Sequence, residues 1–472
     1  MSYRRKSWRA QMAVHVDVNG ALDAMIGPAG LAAAELESMA PRLGEIQAEM
    51  AADHGDFRVP TDRRTIALIL EHAREVRSEF DTLVVLGIGG SILGTRALCS
   101  AVCPPFQGCH PSSGDEGARL IFADNLDPRT LGAILDEVDL HKTAFNVVSK
   151  SGETAETMSQ FLVVRERLLK VLGGVDYSRH VVITTDAETG ALRQIVNDEG
   201  FRSLSIPPEA RGHLAVFSTV GLFPAAVAGI DVHALVAGAH HMEEQCRTAQ
   251  PSENPAMLLA ATHYLAHTRK GRTTQVVMPY ADSLRAVGEW YARFWAETLA
   301  RTQDRDGRPI VCGQTTVPAV GATDQHSLLQ LLVDGPDDKI VTFIQVDDFG
   351  PRVEVPSGYS DLEDVGYLGG HALGELLNLE QRATEVMLGR RGRPSATIRI
   401  PAVNAYTVGQ LMQLLARTTL SAAALYRVEP WSHPALEESR RLAWAMAGRK
   451  GFEELRSEVE AWMQKRDPRF VI

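Results

Sequence analysis

The chain reads as an α/β protein with two tandem domains. Each is a mainly parallel sheet flanked by helices in three layers, and helical N- and C-terminal segments bracket the pair. Three observations lead there. Short apolar, β-branched runs alternate with helix-length amphipathic stretches. Polar residues or glycines stand at or soon after the C-terminal end of each run in the first block, the edge where open α/β sheets bind ligands. After a helical stretch at 211–270 the alternation begins again.

Residues 1–66 form the N-terminal segment, mainly helical and irregular. Positions 21–50 are rich in Ala, Leu, Glu and Met, broken by Gly27-Pro28 and Pro41. A helix is expected over 65–80, with Ile66, Leu68, Ile69 and Leu70 as its apolar residues. The first domain, 67–230, has strands at Leu83–Leu86, Arg119–Phe122, Thr143–Val148, Val181–Thr184 and Ser203–Ile206. A helical linker covers 231–270. The second domain, 271–425, has strands at Thr274–Pro279, Ile310–Gly313, Lys339–Gln345 and Thr397–Ile400. Its helices are Leu284–Arg301, His326–Val333 and Thr407–Leu425, and 347–370 is a further linker candidate. Residues 426–472 finish with a turn at Pro430-Trp431 and two helices.

At 472 residues the chain can bury a large core, and 45% hydrophobic with 23% charged residues is ordinary for a globular protein. A net charge of −11 argues against a nucleic-acid binder. It also means that an anionic substrate must be held by local features. Five cysteines (Cys99, Cys103, Cys109, Cys246, Cys312) without a C-x-x-C pair suggest a reduced, cytoplasmic chain with neither disulfides nor a zinc site. Met1 to Gly20 has no apolar core of a signal peptide, and no run of about 18 apolar residues offers a membrane span.

Two stretches carry chemistry. Gly87-Ile88-Gly89-Gly90-Ser91 follows the first strand and opens a helix, a phosphate cradle in which glycine lets the backbone approach an anion and helix N–H groups face it. It is neither the G-x-G-x-x-G fingerprint nor a P-loop. Ser149-Lys150-Ser151-Gly152-Glu153-Thr154 follows the third strand and is a second cradle, with three hydroxyls and an ammonium at a helix start. Capping of that helix by Ser151 or Thr154 is the plainer alternative.

GIGGS at 87–91 with SKSGETAET at 149–157 resembles the sugar isomerase domain of glucose-6-phosphate isomerases. RGHLAVFSTVGLFPA at 211–225 is similar to that family's first signature, and WYARFWAETLAR at 290–301 to its central helix. GATDQHSLLQ at 321–330, PSATIRIPAVNAYTVGQL at 394–411 and HPALEESRRLA at 433–443 extend the resemblance to residues 80–450. It implies two sugar isomerase domains and the cofactor-free interconversion of glucose 6-phosphate and fructose 6-phosphate, in glycolysis and gluconeogenesis. By the same resemblance Gly90, Ser91, Ser149, Lys150, Ser151 and Thr154 hold the phosphate. Glu297 is the base that moves a proton between C2 and C1 through a cis-enediol. His326 opens the sugar ring, reaching the site from the partner subunit of a homodimer. Such chemistry suits a carboxylate base and an imidazole that exchanges protons near neutrality. Glu289, Arg293, Glu297 and Arg301 also have the i, i+4 spacing of a solvated salt-bridge ladder.

Four positions depart from the family. It usually has arginine where His213 stands, glutamine at Arg293, glutamine at His433 and a catalytic lysine at Arg440. His213, Arg293 and His433 are the expected sugar-facing positions, and Arg440 the third catalytic one. Arginine at 440 stays charged, so it stabilises an oxygen but relays no proton. Arg293 beside Glu297 would favour the ionised carboxylate. The expectation that follows is a moved cation, with Arg293 supplying the charge that His213 does not and Arg211 as its rival. Two other readings stay open: a regulatory sugar-phosphate-binding protein with a degenerate site, and an isomerase of another hexose phosphate such as mannose 6-phosphate.

Overall fold

The computed structural model describes residues 2–52, 63–104, 117–174, 176–248 and 250–472. They fall into two units, Met1–Val428 and Glu429–Ile472. The N-terminal segment is not only helical. His15–Asp17 is a strand (β1) that pairs antiparallel with residues 397–399, so this segment supplies an edge to the second sheet.

Helix Arg63–Glu79 (α1) leads into the first sheet. Its strands are Thr82–Leu86 (β2), Arg119–Ala123 (β3), Thr143–Val148 (β4), Val181–Thr185 (β5) and Arg202–Ser205 (β6). All pair in parallel, in the order β3-β2-β4-β5-β6. Every residue of β4 is buried, which is why the run lacks the alternation of a half-exposed strand. Leu93–Val102 (α2), Pro128–Glu137 (α3) and Ala155–Leu172 (α4) are the helices after β2, β3 and β4. Val84, Leu86, Phe145, Val147, Phe161, Val164 and Ile183 form the core beneath α4.

The expected linker at 231–270 is a packed pair of helices, Val232–Gln245 (α5) and Pro255–Lys270 (α6). Later in the chain come Arg285–Leu299 (α7), Gln325–Asp334 (α8) and Ala405–Tyr426 (α9). Helices α5 and α6 both lie against α9, and the nearly buried Arg417 and Glu243 join α9 to α5 as an ion pair. A 22-residue helix buried on almost every face needs such neighbours on all sides.

The second sheet contains Thr274–Pro279 (β7), Thr315–Pro318 (β8), Lys339–Asp348 (β9) and Ser395–Ala402 (β10), in the order β1-β10-β9-β7-β8. The strand expected at Ile310–Gly313 is not formed. Val311 is 89% exposed, and the ladder to β7 starts instead at Thr315, on an edge strand that ends in proline. The run packs instead against the end of α7 and the turn after it, Ile310 N–H donating to the Thr302 carbonyl and Cys312 lying buried beside Leu299. The C-terminal unit holds two helices, Pro434–Met446 (α10) and Glu453–Met463 (α11), joined by packing of Trp444 on Phe452.

Among the cysteines, Cys99, Cys246 and Cys312 are free and buried. Cys103 is disulfide-bonded, which corrects the expectation of a chain without disulfides; composition alone says nothing about local chain geometry. Cys109 lies outside the described residues. Among the described residues no helix is long and apolar enough to cross a membrane.

Candidate active site

The strand order of the first sheet reverses direction between β2 and β4. At such a switch point the connections leave the sheet towards opposite faces and open a crevice outside the carboxyl ends of the two strands. Both glycine- and serine-rich turns, 87–91 after β2 and 149–154 after β4, stand at this crevice. The first turn is a short 3-10 segment at Gly89–Ser91 that runs into α2.

The second turn is organised by its own hydroxyls. Ser149 is buried, its Oγ accepts the Gly152 N–H at 3.1 Å and lies 3.0 Å from Thr154 Oγ1. Ser151 Oγ accepts the Glu153 N–H at 3.2 Å. Thr154 stands at the N-cap of α4 but makes no side-chain capping bond. The capping alternative therefore holds for the turn's own amides and not for the helix start. Lys150 reaches the segment that follows β6: its Nζ donates to the carbonyls of Pro208 at 2.7 Å and Ala210 at 3.3 Å. Burial pushes its ammonium below the usual lysine value, opposed by Asp186 and aided by Arg211.

That segment continues into Gly212 and His213, and here the two halves of the chain meet. A Cβ on Gly90 would stand 2.5 Å from the backbone C and O of Gly212, so the first cradle and the 212–217 turn touch backbone to backbone. A Cβ on Gly212, whose φ is +48°, would stand 3.3 Å from Glu297 Oε1. Helix α7 comes this close because it packs along α2. A Cβ on Gly94 would meet Val216 at 2.8 Å and Trp290 Nε1 at 3.2 Å. Glu297, near the C-terminal end of α7, has 23% of its side chain exposed, and His213 Nε2 lies 3.0 Å from its Oε2. The His213 ring is only 2% exposed and lies 5.6 Å from that of Phe294.

The remaining expected residues are placed differently. Arg293 does not go to Glu297. Its half-exposed guanidinium turns back one helical turn, donating to the Glu289 carbonyl at 2.9 Å and lying 3.8 Å from the Glu289 carboxylate. The ladder spacing is thus realised between 289 and 293, while Arg301 donates to the Glu297 backbone carbonyl at 2.9 Å. The idea that Arg293 takes over the charge absent at 213 has no support in this geometry. His326 is exposed on the first turn of α8, and no hydrogen bond joins it to Glu297 or His213 among the described residues. His433 is the N-cap residue of α10, and Arg440 lies with its guanidinium 5.1 Å from the Trp444 ring. Both belong to the Glu429–Ile472 unit. Sequence reasoning did not single out Gly212. A glycine directly before a departing signature position was the available signal.

Glu297 thus stands near the glycine-rich turn at the sheet switch point, and comparison with known proteins identifies the family. The family model for phosphoglucose isomerase matches residues 75–458. The chain belongs to the phosphoglucose isomerase family. A glucose-6-phosphate isomerase of Rubrobacter xylanophilus is 44% identical over 425 residues, 90% of this chain and 96% of that one. That of Carboxydothermus hydrogenoformans is 40% identical over 419 residues, 89% of each. Among solved structures, a hypothetical protein of Thermus thermophilus superposes with a TM-score of 0.81 at 31% identity, over 92% of this chain and 100% of that one. A glucose-6-phosphate isomerase of Chlamydia trachomatis superposes with a TM-score of 0.74 at 20% identity, over 90% of this chain and 81% of that one, which speaks for the shared fold. Glu297, His326, His433 and Arg440 all fall inside the span that the phosphoglucose isomerase family model matches.

Proposed function

We propose that this chain is an aldose–ketose isomerase that interconverts glucose 6-phosphate and fructose 6-phosphate, with Glu297 as the base. The observation that carries this reading is the closeness of Gly90 to Gly212 and of Gly212 to Glu297, which supports a carboxylate acting beside the glycine-rich turn of the first sheet. Family membership supports the choice of substrate.

In this mechanism the phosphate lies between Ser91 and the Ser149–Thr154 turn, held by backbone N–H groups, hydroxyls and Lys150. Its binding energy is remote from the reacting carbons and orients C1 and C2 over Glu297. With the ring open, Glu297 takes the proton from C2. The electron pair becomes the C1–C2 double bond, and the aldehyde oxygen gains a proton, giving the cis-enediol. Loss of the O2 proton then forms the ketone while Glu297 returns its proton to C1. The step moves one proton from C2 to C1 and one from O2 to O1, with no external electrons, so the chemistry asks for no redox group.

By the family resemblance, Arg440 acts as a fixed charge on an enediolate oxygen and His433 as a sugar-binding group. His326 opens the ring. Its exposure at the start of α8 suits delivery from a second copy of the chain, hence a homodimer. The enzyme works in the cytoplasm.

Isomerisation of fructose 6-phosphate, measured beside Glu297→Gln, tests the reading. Wild-type turnover in the usual range of about 1–10³ s⁻¹, lost by about a thousandfold in the variant, is expected. A variant that keeps its turnover refutes Glu297 as the base. No turnover in either, with fructose 6-phosphate still raising the melting temperature, would leave a binding protein instead.

A further inference from the structure

We infer that His213 is a positioning residue for this reaction: its imidazole N–H holds one oxygen of the Glu297 carboxylate and so sets the base against the cradle. The inference rests on Glu297 being the base. It assigns His213 a role different from that of a sugar-binding group.

The geometry argues for it in three ways. The ring contacts the carboxylate itself, Nε2 to Oε2 at 3.0 Å, and a carboxylate accepts, so Nε2 is the donor. The other ring nitrogen, Nδ1, is buried and has no hydrogen-bond partner among the described residues. A hydrogen there would be buried without an acceptor, so the tautomer with its hydrogen on Nε2 is the one this pocket accepts. Finally, the ring cannot swing away. It is 2% exposed, with Phe294 of α7 at 5.6 Å between centroids, and it sits on the 212–217 turn that touches Gly90.

Other charged groups stand near the pair. Arg293 contacts Glu289, and Arg301 donates to the Glu297 backbone carbonyl. Arg211, one residue before the turn, is exposed and has an interaction of its own. Among these contacts, the one made to the Glu297 carboxylate through a buried side chain is that of His213. A donor so held costs no rotamer freedom when substrate arrives, which is the requirement for orienting a base. Where the family usually carries a guanidinium, this chain thus keeps a hydrogen-bond donor with a different reach.

The test is the steady-state kinetics of His213→Leu and His213→Gln with fructose 6-phosphate. Leucine fills the pocket without a donor. The glutamine side-chain amide places an N–H near the position of Nε2. We expect His213→Leu to lower kcat by about 10- to 100-fold with KM within about threefold, and His213→Gln to restore most of kcat. A packing role alone would lower the melting temperature of both and leave kcat per folded molecule unchanged. An unchanged kcat in His213→Leu overturns the inference, as does equal loss in the two variants. If His213→Leu does not fold, His213→Asn replaces it, since the shorter amide falls short of Nε2. Glutamine above asparagine supports the inference and equality overturns it. Failure of the base reading is separate: it is read from Glu297→Gln retaining turnover, which removes the premise whatever the His213 variants do.

Discussion

Adding one methyl group at Gly90 tests whether the cradle and the base are mechanically joined. In Gly90→Ala the new Cβ would stand 2.5 Å from the backbone C and O of Gly212. Ordinary contact between such atoms needs about 3.5 Å, so one backbone must move by about 1 Å. Neither side is a flexible side chain that can step aside. Overpacking of this kind costs about 1–3 kcal/mol of stability, within the margin of a typical domain. The larger effect falls on catalysis, because Gly212 lies close to Glu297 Oε1, 3.3 Å from where its Cβ would stand, and its neighbour His213 holds Oε2. A reacting group misplaced by about 1 Å loses about a hundredfold in rate, or about 2.7 kcal/mol at 1.36 kcal/mol per decade. The assay is glucose 6-phosphate formation coupled to a dehydrogenase, with thermal unfolding measured in parallel. Gly132→Ala is the control. It lies in α3 with no atom within 4 Å of the added carbon, so it should keep full activity and gain about 0.5–1 kcal/mol of helix stability. Gly90→Ala with turnover within about twofold of wild type would refute the coupling.

Two further outcomes follow from the same structure. Arg293→Gln should leave turnover within about threefold of wild type, because a half-exposed ion pair with Glu289 is worth at most about 1 kcal/mol; a loss beyond tenfold would restore Arg293 to the active site. Burial pushes His263 down to about 3, while in the unfolded chain it titrates near ~6.5. The unfolded state therefore binds this proton first. Its contribution is complete above ~6.5 and is lost as pH falls towards 3, with a slope of up to about 1.4 kcal/mol per pH unit. Urea unfolding at several pH values between those limits should give a steeper decline for wild type than for His263→Gln, and equal slopes would exclude it.

Much of this protein was legible without coordinates, for local reasons. Thr143–Val148 reads as a central strand because both of its faces are apolar and buried, and its observed bounds are the same. The two cradles follow from glycine and hydroxyl chemistry at strand ends, and the sheet order places both at the switch point. Errors arose where a local run lacked its expected neighbour. Ile310-Val311-Cys312 is apolar enough for a strand but joins no sheet, its Ile310 N–H going to the Thr302 carbonyl instead, and His15–Asp17 is too short to stand out until β10 offers it an edge. The helices expected over 231–270 form, and only the structure shows that both lie against α9.

The sequence by itself determined the α/β class, the two glycine- and serine-rich turns at strand ends and the family, and it singled out Glu297 as the base to propose, since these depend on residue types over short spans and on motifs in a fixed order. Tertiary structure alone decided who stands beside Glu297. Glu297 and His213 are 84 residues apart, and Arg293 is one helical turn from Glu297, yet the distant histidine makes the hydrogen bond and the near arginine faces away. The reason is steric. Helix α7 packs along α2 and the 212–217 turn, and that contact turns the Glu297 side of the helix inward and leaves Arg293 half in solvent. No spacing along one chain segment specifies how two helices from different sheets come to lie against each other.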